Sequence, residues 1–265
     1  MRAKLLITFI VPLLCFYTVW RLKPLYDQPD IGYKSGQNVI SFQTVNDIPL
    51  PKGYTRVNIH DDSFGHWLRK IHLKKDKTVY LFNGKPKSNQ QAQYAVLDIP
   101  VGTKDLQQCA DAVMRLKAEY CYEKKQYREI VFSDNNGKKF ICPDNINKAG
   151  FEKYLERVFM HCGTASLAKQ LVPVKSFDLI APGYTIIKGG FPGHAVIVVD
   201  VARNQDGHTI YLLAQSYMPA QSIHILKNPG NSSMSPWYEV TDDKKPIYTP
   251  EWIFDHNQLK KWEGQ

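Results

Sequence analysis

The sequence holds no GxxxxGK[ST], no GxGxxG and no GxSxG, which excludes the local signatures of a phosphate loop, a dinucleotide fold and a serine nucleophile elbow. It has no CxxC and no HExxH. Among its eight histidines, His60, His66 and His72 recur at a spacing that suits no single helix face, so no metal site and no cofactor is expected. Glycine and proline reach only 16 each in 265 residues, too few for a collagen-like or low-complexity chain. What is there is a globular composition, 43% hydrophobic and 12% aromatic, with enough length to bury a sizeable core. The formal charge of +9 favours anionic polymers or acidic lipid surfaces as partners; no feature points to nucleic acid.

The N-terminus reads differently from the rest. Residues 5–20 carry no charge, Arg2 and Lys4 precede them, and Arg21 and Lys23 close them, which is the layout of an export signal. The stretch is shorter than the ~20 residues of a comfortable membrane span, so a cleaved signal peptide and a membrane anchor both fit. No small-x-small cleavage site is present, and the bulky Leu13 and Leu14 ahead of Cys15 suit lipid attachment poorly. The expected organisation is a leader or anchor at 1–20, a tether at 21–50 and one domain at 51–265. Such a protein is exported to the cell envelope, either periplasmic or held at the membrane by its N-terminal segment. Cys109, Cys121, Cys142 and Cys162 then lie in an oxidising compartment, where an even number admits three pairings but a chain this long needs none.

Within the domain, Phe64, Trp67 and Leu68 behind Ser63 predict a short capped helix. The basic run from Arg69 to Lys87 reads as a solvated hairpin turning at Asn83-Gly84. Residues 95–99 read as a strand. Asp105 with Gln108 resembles a capping box, and Leu106, Cys109, Val113, Leu116 and Tyr120 fall on one helical stripe. That places Cys109 in a helix's first turn, where the positive end of the helix dipole favours the thiolate; the plainer alternative is a core cysteine. A second helix, 151–162 with Gly163 as its cap, puts Cys162 at a C-terminus, the wrong end for a nucleophile. Strands are expected at 184–188, 194–202, 208–214 and 222–226. If Asn204-Gln205-Asp206-Gly207 closes a symmetric hairpin, His194 faces Tyr217 and Val196 faces Gln215, so Gln215 shares a face with His194. A glutamine there can fix the imidazole tautomer and leave the other ring nitrogen to take a thiol proton. Against this stands a simpler role for His194, capping the sheet end.

The segments DLQQCADAVMRL at 105–116, GGFPGHAVIVVD at 189–200 and LAQSYMPAQ at 213–221 resemble an uncharacterised bacterial envelope family, domain of unknown function 4846, over about residues 53–262. A helix-start cysteine, a Pro-Gly turn and a Gly-His pair opening an apolar strand are also similar, remotely, to NlpC-type and CHAP-type papain-fold cysteine hydrolases. In place of the Asp that those families carry after the turn stands Tyr184, and 120–169 is an added insertion. The resemblance implies an α+β, papain-like core, a Cys-bearing helix on an antiparallel sheet with a helical and hairpin insertion. It implies Cys109 as nucleophile, His194 as base, Gln215 as its orienter, and cell-wall peptide as substrate. A transglutaminase-like acyl transferase would use the same pair. The rival expectation is a non-catalytic envelope module that binds glycan or protein through Trp237, Tyr238 and Trp252, against which stands the plainer reading that these aromatics pack in the core.

Overall fold

Residues 195–199, Ala-Val-Ile-Val-Val, are apolar at every position, which requires a strand covered on both faces. The computed structural model describes residues 42–241 and 245–265 and places this run at the centre of an α+β architecture. In chain order its elements are β1 (Tyr54–Arg56), α1 (Phe64–Lys70), β2 (Gln93–Val96), α2 (Cys109–Glu123), β3 (Val131–Ser133), β4 (Lys139–Ile141), α3 (Lys148–His161), α4 (Thr164–Gln170), β5 (Val172–Pro173), β6 (Thr185–Lys188), β7 (His194–Asn204), β8 (Thr209–Gln215), β9 (His224–Leu226), β10 (Tyr238–Glu239), β11 (Ile247–Tyr248), β12 (Ile253–Phe254) and β13 (Leu259–Lys261). The main sheet runs β2-β9-β8-β7-β6-β13-β5, with β1 added to the far end of β7 and β10 to the far end of β8. Every pairing in it is antiparallel. The pairs β3–β4 and β11–β12 form separate small hairpins.

Helix α2 lies on one face of the sheet, where Val113, Met114 and Leu116 share a core with Ala195, Ile197 and Val199. Val196, Val198 and Leu213 point the other way into a second core with Ile247, Phe254 and Leu259. The two cores account for the unbroken apolar run. Between Val198 and Asp200 the alternation slips: Val201 joins the second core and Ala202 the first, because Val199 is an extra residue on β7. Asp200 follows this bulge fully buried, with Arg69 Nε 2.6 Å from one carboxylate oxygen and Arg56 Nε 2.7 Å from the other.

Several expectations need correcting. The tether does not extend to residue 50: Val45 and Ile48 are fully buried, and the Val45 N–H donates to Ile71 O at 3.1 Å. The basic run is not wholly solvated, because Arg69 turns inward to Asp200, and Lys87, also buried, reaches Glu251. Trp237 and Tyr238 are core residues, and the Trp237 Nε1–H donates to Pro49 O at 2.7 Å, so neither offers a binding platform. The insertion does carry a hairpin, β3–β4, and helices, α3 and α4. Cys109, Cys121, Cys142 and Cys162 are all buried free thiols. Among the described residues no helix is long and apolar enough to cross a membrane, and the expected leader at 1–20 lies outside the described residues.

The Asp200 junction gives the first test. Asp200→Ala would leave Arg69 buried without a counter-charge, a loss on the order of 3–5 kcal/mol in urea unfolding. A loss below about 1 kcal/mol would show that the two guanidinium groups are satisfied without it.

Candidate functional site

Helix α2 starts later than the sequence pattern indicates. Asp105 does not cap it: its carboxylate accepts the Ala220 N–H at 2.7 Å and the Gln108 side-chain amide at 3.2 Å, holding the loop before the helix. The capping carboxylate is Asp111, which accepts the Gln108 N–H at 3.0 Å. Cys109 is therefore the first helical residue, where backbone N–H groups lack partners within the helix. The Ser216 hydroxyl donates to Gln107 O at 2.8 Å, tying this helix start to the residue that follows β8.

His194 opens β7 from the turn at 189–193. Gly193 is required there, because a Cβ would meet Gly190 O and Thr164 Oγ1 at 2.4 Å each. The imidazole is buried against Tyr217, Trp252 and Phe254, with ring centroids 4.8, 5.2 and 5.8 Å away. Its Nε2 lies 2.8 Å from Gln215 Oε1. The sequence expectation that Gln215 meets His194 is realised, by a different route. The turn pairs Arg203 with Thr209, one residue out of the symmetric register, and the bulge at Val199 restores it, so that Ile197 pairs with Ala214. With one error cancelled by the other, Gln215 lands on the face of His194.

Two further residues of this network carry no local sequence signal. Gln215 Nε2 is 2.8 Å from Glu251 Oε2, and Glu251 is held in turn by Lys87 Nζ at 2.5 Å and Asn89 Nδ2 at 3.2 Å. A carboxylate oxygen only accepts, so the Gln215 end facing Glu251 is its NH₂ and the end facing His194 is its carbonyl. The His194 Nε2 must then carry the proton, which leaves Nδ1 as the basic nitrogen. His224, paired with Gln215 across the strands, donates its Nδ1–H to Ser222 O at 2.9 Å and presents a bare Nε2 at 3.5 Å from the Gln215 amide nitrogen.

Cys109 and His194 line one cavity of about 240 Å³, walled also by Asp111, Phe159, Cys162 and Trp252. Burial pushes the Cys109 thiol up to about 11, and the Asp111 carboxyl adds to the rise. The N–H groups of Ala110, Ala195 and Cys109 itself oppose this only in part. The expectation of a thiolate favoured by the helix start is thus overturned by desolvation. Burial likewise holds His194 down to about 4, against the opposing pull of its Gln215 hydrogen bond. At rest both groups are neutral, a thiol and an imidazole on the walls of one cavity. Cys162 sits on the same wall, following α3 and preceding the short α4, and burial with Asp111 pushes it up to about 12.

The model of a family described as domain of unknown function (4846) matches residues 45–144 and 140–261. The chain belongs to this family. No curated protein and no solved structure matches it. The match begins at Val45, the first fully buried residue among those described.

The neutral pair predicts a pH profile. With the thiol near 11, the thiolate fraction of Cys109 grows about tenfold per pH unit below that value. Iodoacetamide labelling of Cys109, followed by peptide mass spectrometry, should therefore keep accelerating from pH 7 to 10. A plateau already reached below pH 7 would mean a resting thiolate–imidazolium pair and contradict the neutral assignment.

Proposed function

We propose that the chain is an exported cysteine hydrolase or acyl transferase acting on peptide or amide bonds, with cell-wall peptide as its substrate class and a papain-like arrangement at its core. One observation carries this reading. Cys109 at a helix start and His194 share a cavity, and the Gln215–Glu251 chain turns the basic Nδ1 of the imidazole away from its support. In the proposed reaction Cys109 Sγ attacks the amide carbonyl while its proton passes to His194 Nδ1. The transfer places thiolate beside imidazolium, and their attraction offsets part of the desolvation that each charge suffers alone. The Cys109 N–H would hold the developing oxyanion. Collapse breaks the C–N bond, the leaving amine takes the proton from His194, and water or an acceptor amine then resolves the thioester. The basic charge and the uncharged N-terminal run support a site of action at the envelope, on wall peptide or another anionic polymer near the membrane.

A second reading, a non-catalytic envelope binding module for glycan or protein, is favoured by the neutral resting pair and by the exposed apolar rim. Phe191 is 95% exposed and Met218 59% exposed, both at this cavity. Turnover separates the two. Purified protein should hydrolyse peptidoglycan-derived peptide amides, Cys109→Ala should abolish that activity, and Gln215→Ala should lower it ~10–100-fold. Absence of turnover in the wild type, with Cys109→Ala lowering Tm sharply, would replace the hydrolase with the binding module.

A further inference from the structure

Asp111 is used only in part by the arrangement above. One carboxylate oxygen, Oδ2, accepts the Gln108 N–H at 3.0 Å, whereas Oδ1 is buried with no hydrogen-bond partner. The residue is 5% exposed and lines the Cys109 cavity. Leaving a buried carboxylate oxygen unpaired is costly, and such a group calls for a partner, whether water, an ion or a ligand. The cavity's charge says which ligand. In a chain of net charge +9, the residues lining this cavity include Asp105 and Asp111 and no lysine or arginine. Asp105 is already committed to the Ala220 and Gln108 donors. Thr164, on the same wall, donates its hydroxyl proton to Gly190 O at 3.1 Å and so keeps its lone pairs for an incoming donor. The rings of Phe159, Phe191 and Trp252 complete a wall that suits a cation better than an anion.

We propose that this cavity is the subsite for a primary ammonium group of the substrate, taken by the Asp111 carboxylate, whose unpaired oxygen turns from its cover toward the cavity as the ammonium enters, with Thr164 Oγ1 as second acceptor. The proposal rests on the hydrolase reading for the placement of the scissile bond at Cys109, and it narrows the substrate class to acyl groups that carry a free amine close to that bond. Burial raises the Asp111 carboxyl well above the usual carboxylate range, and an ammonium supplies a counter-charge that no lysine or arginine of the lining provides.

The test uses three methanethiosulfonate reagents that modify a thiol and differ in charge: the 2-aminoethyl cation, the 2-sulfonatoethyl anion and the neutral methyl compound. Rates at Cys109, read by peptide mass spectrometry, are divided by the rates of the same reagents with 2-mercaptoethanol. The cation should exceed the anion by about tenfold or more after that correction, the scale of one hydrogen bond to a charged group. Asp111→Asn keeps an acceptor for the Gln108 N–H and should bring the cation down to the neutral reagent. Should that variant fail to fold, ethylammonium chloride should protect wild-type Cys109 from the neutral reagent where sodium chloride at equal strength does not. Equal corrected rates for all three charges, an Asp111→Asn preference unchanged from wild type, or no protection would overturn the subsite. A cation preference without amide turnover would sustain the subsite and remove the hydrolase. Equal turnover of free-amine and N-acetylated peptide amides would do the reverse.

Discussion

Asp200 lies fully buried in the middle of β7 with a guanidinium on each of its carboxylate oxygens, immediately after the strand's extra residue. The bulge and the ion pairs form one constraint. Arg56 comes from β1 and also donates to Ile48 O at 2.7 Å, whereas Arg69 comes from α1. Both the N-terminal part of the body and the first helix are thereby attached at the point where β7 changes register. In a sheet with a two-residue side-chain period, that one-residue change decides which face Gln215 occupies. Had the hairpin kept its turn register to the end, Gln215 would point into the core beneath α2, away from His194. The site at one end of β7 depends on a charge cluster at its middle.

The same logic extends through the polar network. Lys87 comes from a loop after α1, Glu251 from the turn between β11 and β12, Gln215 from the end of β8 and His194 from the start of β7. Each member restricts the next: Lys87 and Asn89 fix the carboxylate, the carboxylate orients the amide, and the amide assigns the imidazole tautomer. A half-satisfied network of this kind would be costly in so buried a setting, since His194, Gln215 and His224 are each at most 1% exposed. The turn that supplies Glu251 also supplies Trp252, which packs its ring against His194.

Strands β6 to β9 were legible because each is an apolar run bounded by glycine, proline or an Asn-Gln-Asp-Gly turn, and helix α2 because its stripe holds the 3.6-residue period. The helix's start was misplaced by three residues, from an N-cap at Asp105 to one at Gln108, since Asp105 and Asp111 are both carboxylates able to serve a helix start and only the fold decides between them. Short α4 and the two-residue strands carry too little pattern to announce themselves. Charges misled most. Arg69 and Lys87 look like a solvated surface in a basic run, and only partners 131 and 164 residues away draw them inward. Glu251 is likewise an ordinary turn glutamate until the fold sets it beside Gln215, 36 residues earlier in the chain. Cys109, His194 and Gln215 could be singled out by position; the desolvation that sets the thiol and imidazole protonation could not, because it belongs to the packed interior.

The central claim is that the carboxylate of Glu251, acting through Gln215, commits His194 to the tautomer with a protonated Nε2 and a basic Nδ1. Long-range ¹H–¹⁵N correlation spectra of the histidine side chains, with His194 assigned by its Gln variant, read that tautomer directly. At pH 7 the account requires a protonated Nε2 and an unprotonated Nδ1 in the wild-type protein, with the bias lost or reduced in Glu251→Ala. A proton found on Nδ1, or a tautomer indifferent to Glu251, would contradict it.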